Sequence, residues 1–152
     1  MALQITASIT PDMLTALAEI HARTLPFQSW DGVSIIGITT QPHHHIRVAM
    51  KGGVVGGFIV WRAILDEAEL LTIAVTPSIQ REKIGSKLLG EMLKDASMRP
   101  VKQCFLEVAE DNAAAQQFYK ISGFGEFGRR KDYYRRGAEK PIGAVLMRRI
   151  FA

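Results

Sequence analysis

The strongest constraint on this chain lies between Glu69 and Ala96, where the apolar pattern changes period across one short turn. Glu69 to Val75 is an apolar run of strand character. After Pro77, the residues Ile84, Leu88, Leu89, Met92, Leu93 and Ala96 recur at helical spacing, with Lys and Glu between them. The same succession follows again. Val101 to Ala109 reads as a strand, Asp111 or Asn112 can cap a second amphipathic helix, and Gly123 stops it. Upstream, Leu3 to Ile9 suits a short strand, and Thr10-Pro11-Asp12 opens a helix through about Arg23. Leu25 to Thr40 reads as loop and short helix. Ile46–Met50 and Val54–Ala63 read as strands joined at Lys51-Gly52-Gly53, a hairpin signal. Two last strands, near Glu126–Arg130 and Ile142–Ile150, flank a basic Tyr-Tyr segment. The alternation predicts an α/β (α+β) fold over residues 1–152: one domain, with a curved mixed sheet and helices on both faces.

Composition narrows the class of function. With 152 residues, 47% of them hydrophobic, the chain can bury about two thirds of its unfolded surface without a staple. Its single cysteine, Cys104, excludes an internal disulfide framework and a multi-cysteine zinc site. The longest apolar stretch, Gly52 to Trp61, is short of the ~20 residues of a membrane span. No basic residue precedes Arg23 and no long apolar run opens the chain, so a cytoplasmic location and no membrane partner are expected. Charge is uneven. Residues 1–80 carry 4 Lys+Arg against 6 Asp+Glu, and the remainder carries 15 against 9. A basic second half suits a polyanionic partner, whether nucleic acid, a phosphorylated cofactor or an acidic peptide.

Two stretches carry chemistry. The first is the helix start at Gln80-Arg81-Glu82-Lys83-Ile84-Gly85. Unpaired N–H groups and a partial positive charge there bind phosphate, and Arg81, Lys83 and Lys87 add cations. A strand-turn-helix with a basic first turn is the plainer account of the same residues. The second is Glu107 in an apolar strand, followed by Asn112 and Tyr119 on the next helix. A carboxylate among apolar residues is costly unless it reaches water or a partner. A carboxylate and a phenol on adjacent elements can also serve as proton acceptor and donor. Taken singly, a solvated Glu107, a packed Tyr119 and a capping Asn112 account for them equally well.

Together these residues resemble the GNAT N-acetyltransferases. Ile73-Ala74-Val75 with Gln80 to Gly85 is similar to that family's acetyl-CoA motif. Leu106-Glu107-Val108, Asn112, Ala114-Ala115, Phe118-Tyr119 and Ser122-Gly123-Phe124 resemble the rest of its signature. Arg129-Arg130 and Tyr133-Tyr134 narrow the likeness to the RimI-type enzymes, which acetylate the N-terminal alanine of a small-subunit ribosomal protein. The resemblance implies a sheet splayed at the strands ending near Val75 and Ala109, and acetyl-CoA as cosubstrate with no metal. It implies cofactor contacts from Ile73, Ala74, Val75, Arg81, Glu82, Lys83, Ile84, Gly85, Ser86, Asn112 and Tyr119, with the Val75 N–H toward the thioester carbonyl. Glu107 would be the base and Tyr119 the acid. Trp30, Tyr133 and Tyr134 would hold the acceptor, a protein N-terminus or a small amine. An α-amine, with a pKa near ~8, asks less of a base than a lysine near ~10.4. A small-molecule acetyltransferase and a non-catalytic acyl-CoA-binding module are the alternatives. Direct nucleic-acid binding is not expected, although Arg and Tyr are the usual phosphate and stacking residues.

Three departures stand out. Lys83 occupies a position usually glycine in the family, and its backbone is expected to be helical. Ala109 stands where an arginine is common, and Pro141-Ile142-Gly143 replaces an acidic residue. Other motifs are set aside. Gly123-Phe124-Gly125-Glu126-Phe127-Gly128 spells G-x-G-x-x-G but follows a helix where the dinucleotide fingerprint follows a strand. His43-His44-His45 alternates across strand faces with no acidic or cysteine neighbour, which suits a solvated strand entry. Cys104 shares its strand face with Leu106 and Val108, so it is expected to be packed.

Overall fold

A computed structural model describes residues 2–25, 31–77 and 82–151. The chain runs β1 (Leu3–Thr6), α1 (Pro11–Thr24), α2 (Gly32–Thr39), β2 (His44–Lys51), β3 (Val54–Ile64), β4 (Glu67–Val75), α3 (Ile84–Ser97), β5 (Gln103–Ala109), α4 (Ala113–Ile121), β6 (Gly125–Tyr134) and β7 (Ile142–Ile150). Local chemistry explains most boundaries. Pro11 starts α1 where a missing N–H costs nothing. The Asp31 carboxylate accepts from Ser34 N at 2.8 Å and caps α2. Gly52 and Gly53 turn the β2–β3 hairpin at φ 61° and 77°, the left-handed region that two-residue turns require.

The strands form one sheet in the order β1-β2-β3-β4-β5-β7-β6. Every neighbouring pair is antiparallel except β4 and β5, which run parallel. Each face is covered. On one, Leu17 and Ile20 of α1 and Ile35 of α2 pack on Val48, Phe58 and Val60. On the other, Ile84, Leu88, Leu89 and Met92 of α3 pack on Ile59, Trp61, Leu70 and Leu106. Cys104 lies fully buried in that second layer, where desolvation pushes its thiol up to about 12. Among the described residues no helix is long and apolar enough to cross a membrane.

The parallel pair positions everything that follows. Its pairing stops after Glu67–Gln103, Ala68–Cys104 and Glu69–Phe105, although β4 continues to Val75 and β5 to Ala109. Beyond that point β4 stays with β3 as far as Gly57–Val75, and β5 stays with β7 as far as Ala109–Ala144. A bulge helps them part. Val60 opposes Thr72 while Trp61 opposes Leu70, so Leu71 is the extra residue and β4 bends there. Gly57 lets β3 follow, because a Cβ on it would sit 2.8 Å from Ala74 O and 3.2 Å from Val75 Cα.

Two expectations need correction here. The basic Tyr-Tyr segment is not a loop between the last strands. It is the body of β6, whose register against β7 shifts between Arg130 and Tyr134, with Asp132 at φ 51°. His45 is not at a solvated strand entry either. It is half-buried, its ring 5.3 Å from that of Trp61.

Candidate active site

The wedge between β4 and β5 opens into a cavity of about 770 Å³. β4 contributes Glu69 to Ile73 and Val75, and the start of α3 contributes Lys83, Gly85 and Ser86. Glu107 to Ala109 come from β5, and Asn112, Phe118 and Tyr119 from the α4 region. Tyr133 and Tyr134 of β6 and the end of α1, Thr24 and Leu25, complete the wall. Three elements meet at Gly85, where an added Cβ would lie 3.7 Å from Phe118 Cζ and 3.8 Å from Val75 Cγ2.

Several anticipated residues therefore share one space: Ile73, Val75, Lys83, Gly85, Ser86, Glu107, Asn112, Tyr119, Tyr133 and Tyr134. Three others do not line it. Ala74 is buried on the face covered by α1 and α2. Ile84 is buried in the core beneath α3. Glu82 pairs instead with Lys51 at the β2–β3 turn. Trp30 and Arg81 lie outside the described residues.

Lys83 differs from the helical backbone anticipated for it. It is the N-cap of α3 at φ 61°, ψ 24°, a left-handed conformation that costs a side-chain-bearing residue about 1–2 kcal/mol. Asn112 caps α4, its Oδ1 accepting from Ala115 N at 3.1 Å, which leaves its amide NH₂ for other partners.

The titratable groups divide by environment. Tyr119 is 8% exposed, its ring against Phe118 and edge-on to Phe124. Burial, with a smaller contribution from Tyr134, raises its phenol above the ordinary tyrosine value, so it is a retained proton donor at neutral pH. Glu107 lines the same cavity and has Arg130 of β6 beside it. The Glu107 carboxylate raises the Tyr133 pKa, and Arg130 Nη2 lies 3.6 Å from its Oε1. The Arg130 guanidinium in turn lies 5.4 Å from the Tyr133 ring centroid. A proton acceptor and a proton donor thus flank one cavity, with cationic and N–H-bearing groups of a helix start in its wall.

Sequence reasoning missed Glu69, Thr24 and Leu25. Glu69 alternates with Leu70 as any solvated strand residue does. The end of α1 carries no sequence mark of its approach to β4. Buried His21, from the same helix, bonds Thr72 Oγ1 at 3.0 Å through Nε2.

A seven-stranded sheet parted at one parallel pair, with a helix start facing the gap, defines an acyltransferase class, and the family comparison agrees. The chain belongs to the acetyltransferase (GNAT) family, whose model matches residues 10–124. The [ribosomal protein bS18]-alanine N-acetyltransferase of Escherichia coli K12 is 38% identical over 84 residues, 55% of this chain and 57% of that protein. The chain thus matches little more than half the length of that relative. The protein of the same name from Salmonella typhimurium LT2 is 39% identical over 121 residues, 80% of each chain. The crystal structure of the ribosomal-protein-S18-alanine N-acetyltransferase from Escherichia coli superposes with a TM-score of 0.87 at 27% identity. It covers 99% of this chain and 95% of that one.

Proposed function

We propose that this protein is an acetyl-CoA-dependent N-acetyltransferase that modifies the N-terminal α-amine of a protein, of the ribosomal-protein alanine type, acting in the cytoplasm as one domain over residues 1–152. The observation that carries the reading is that Glu107 and Tyr119 line the same parted-strand cavity as the start of α3. A volume of about 770 Å³ falls within the usual range for small-molecule sites. The names of two relatives, both ribosomal-protein bS18 alanine N-acetyltransferases, support the acceptor.

The residues fit a nucleotide thioester. The first N–H groups of α3 have no intrahelical partner and carry the positive end of the helix dipole, so with Lys83 they suit a phosphate chain. Ile73 and Val75 give one apolar wall of the wedge, and the Asn112 amide gives a polar contact on the other. When bound, acetyl-CoA supplies an acetyl group activated as a thioester. Glu107 would accept the proton of the incoming ammonium, directly or through water, and Tyr119 Oη would hold the proton that a departing thiolate requires. Tyr133 and Tyr134 wall the acceptor side. An α-amine is partly neutral at neutral pH, so the demand on Glu107 is modest.

Thermal melts with acetyl-CoA and thiol release with a panel of acceptors test this reading. Ligand at ~100 times its dissociation constant adds about 2.7 kcal/mol, a clear rise in Tm. Release of thiol with alanine-initiated peptides, and not with free amines, is expected. Turnover on amines alone would move the assignment to small-molecule acetylation, and binding without turnover would leave an acyl-CoA sensor.

A further inference from the structure

We infer that Glu69 determines acceptor specificity by selecting a lysine or arginine immediately after the acceptor's N-terminal residue. The inference rests on the N-terminal acetylation reading above.

Glu69 is the last β4 residue paired with β5, opposite Phe105, and so stands at the crotch of the parted strands. Phe105 and Glu107 are two residues apart and share a face of β5. Two residues of rise and one strand spacing set the Cα atoms of Glu69 and Glu107 about 8 Å apart, and more as the strands diverge. Both side chains line the main cavity, and both raise the Tyr133 pKa by their charge.

Glu69 also lines a second cavity of about 410 Å³ that continues along the β3–β4 hairpin. That space has Asp66, Glu67 and Glu69 as its carboxylates and Arg62 as its cation. Arg62 Nε and Nη2 both bond one oxygen of Glu69, Oε2, at 2.9 and 2.5 Å. The pairing therefore fixes the carboxyl group while leaving the hairpin corner net negative. The corner belongs to the acidic first half of the chain, where 4 Lys+Arg stand against 6 Asp+Glu over residues 1–80.

An acceptor peptide has two features to place here. Its α-amine must approach Glu107, and its next residues must leave the wedge. An extended dipeptide spans about 7 Å, so an amine at Glu107 brings the second side chain near Glu69. A cationic side chain there meets a fixed carboxylate in a half-enclosed site. An acidic one meets repulsion, which is discrimination by charge.

The test uses the full chain and three peptides differing only at the second position: Ala-Lys-, Ala-Ala- and Ala-Glu-. Wild type should favour the lysine peptide over the glutamate peptide by roughly tenfold in kcat/KM at low salt, mainly through KM. Glu69→Gln should remove most of that ratio, lowering the Ala-Lys- value and raising the Ala-Glu- value relative to Ala-Ala-. Glu69→Lys should invert the preference, which a loss of folding could not do. Equal ratios in wild type and Glu69→Gln, or an equal loss on all three peptides, would overturn the role of Glu69 alone. Acetylation of none of the peptides would overturn both this role and the N-terminal acetylation reading beneath it.

Discussion

Lys83→Gly should make the protein more stable and a weaker binder of acetyl-CoA, two effects of opposite sign from one residue. Lys83 caps α3 at φ 61°, where a side chain costs about 1–2 kcal/mol. Glycine removes that cost but adds about 0.5–1 kcal/mol of chain freedom to the unfolded state. The net gain lies within about 0–1.5 kcal/mol, centred on ~0.75, a rise of roughly 2–3 °C in Tm for a chain of this size. The lysine also lines the cavity, where its charge favours a phosphate chain. Losing it should weaken acetyl-CoA binding by roughly two- to fivefold at low salt, with the difference shrinking as salt screens the charge. Lys83→Ala separates the two effects, because it removes the charge and keeps the left-handed strain. Calorimetric melts and titrations on all three proteins give the comparison. If Lys83→Gly melts no higher than Lys83→Ala, the residue is not left-handed in solution. If both bind acetyl-CoA as wild type does, the phosphate chain lies elsewhere.

Tyr119→Phe should lower kcat by about 10²-fold or more while leaving acetyl-CoA affinity nearly unchanged, as stopped assays and calorimetry would show; lost affinity with intact turnover would contradict the acid role. Gly57→Ala should destabilise the fold by about 1–3 kcal/mol in urea titrations, since its Cβ meets the backbone of Ala74 and Val75. Wild-type stability there would mean that β3 does not press on the end of β4. Buried His21, whose pKa desolvation lowers to about 4, should make stability depend on mild acid. The unfolded imidazole binds its proton near 6.5, so this contribution is complete above about pH 6.5. It is lost as pH falls toward 4, by about 3 kcal/mol in all. His21→Gln should flatten the slope between pH 6.5 and 5, and an unchanged slope would place the titrating group elsewhere.

The regular elements were legible because their signals are local. The Ile84–Ala96 repeat, the two glycines after Lys51 and the stop at Gly123 each name an element without reference to the rest of the chain. Asn112, offered as either cap or ligand contact, is the cap of α4 and also lines the cavity. Long-range features were not legible. The bulge at Leu71 exists only as a mismatch between two strands, and nothing in Leu70-Leu71-Thr72 marks it. The left-handed backbone at Lys83 was hidden because lysine is an ordinary helix residue, whereas glycine there would have announced the turn. Tyr133 appeared in the sequence as part of a basic aromatic run. That it shares a cavity with Glu107 follows from β6 pairing with β7, which no local pattern encodes. Glu69 was invisible for the same reason, its place at the crotch being set by where two strands stop pairing.

The most direct measurement follows isotopically labelled acetyl groups from acetyl-CoA into an alanine-initiated peptide that also contains an internal lysine, with fragmentation mass spectrometry locating the label. The account predicts label on the α-nitrogen of the alanine with wild type, and greatly reduced label with Glu107→Gln or Tyr119→Phe. Label on the lysine, or equal labelling by wild type and both variants, would contradict it.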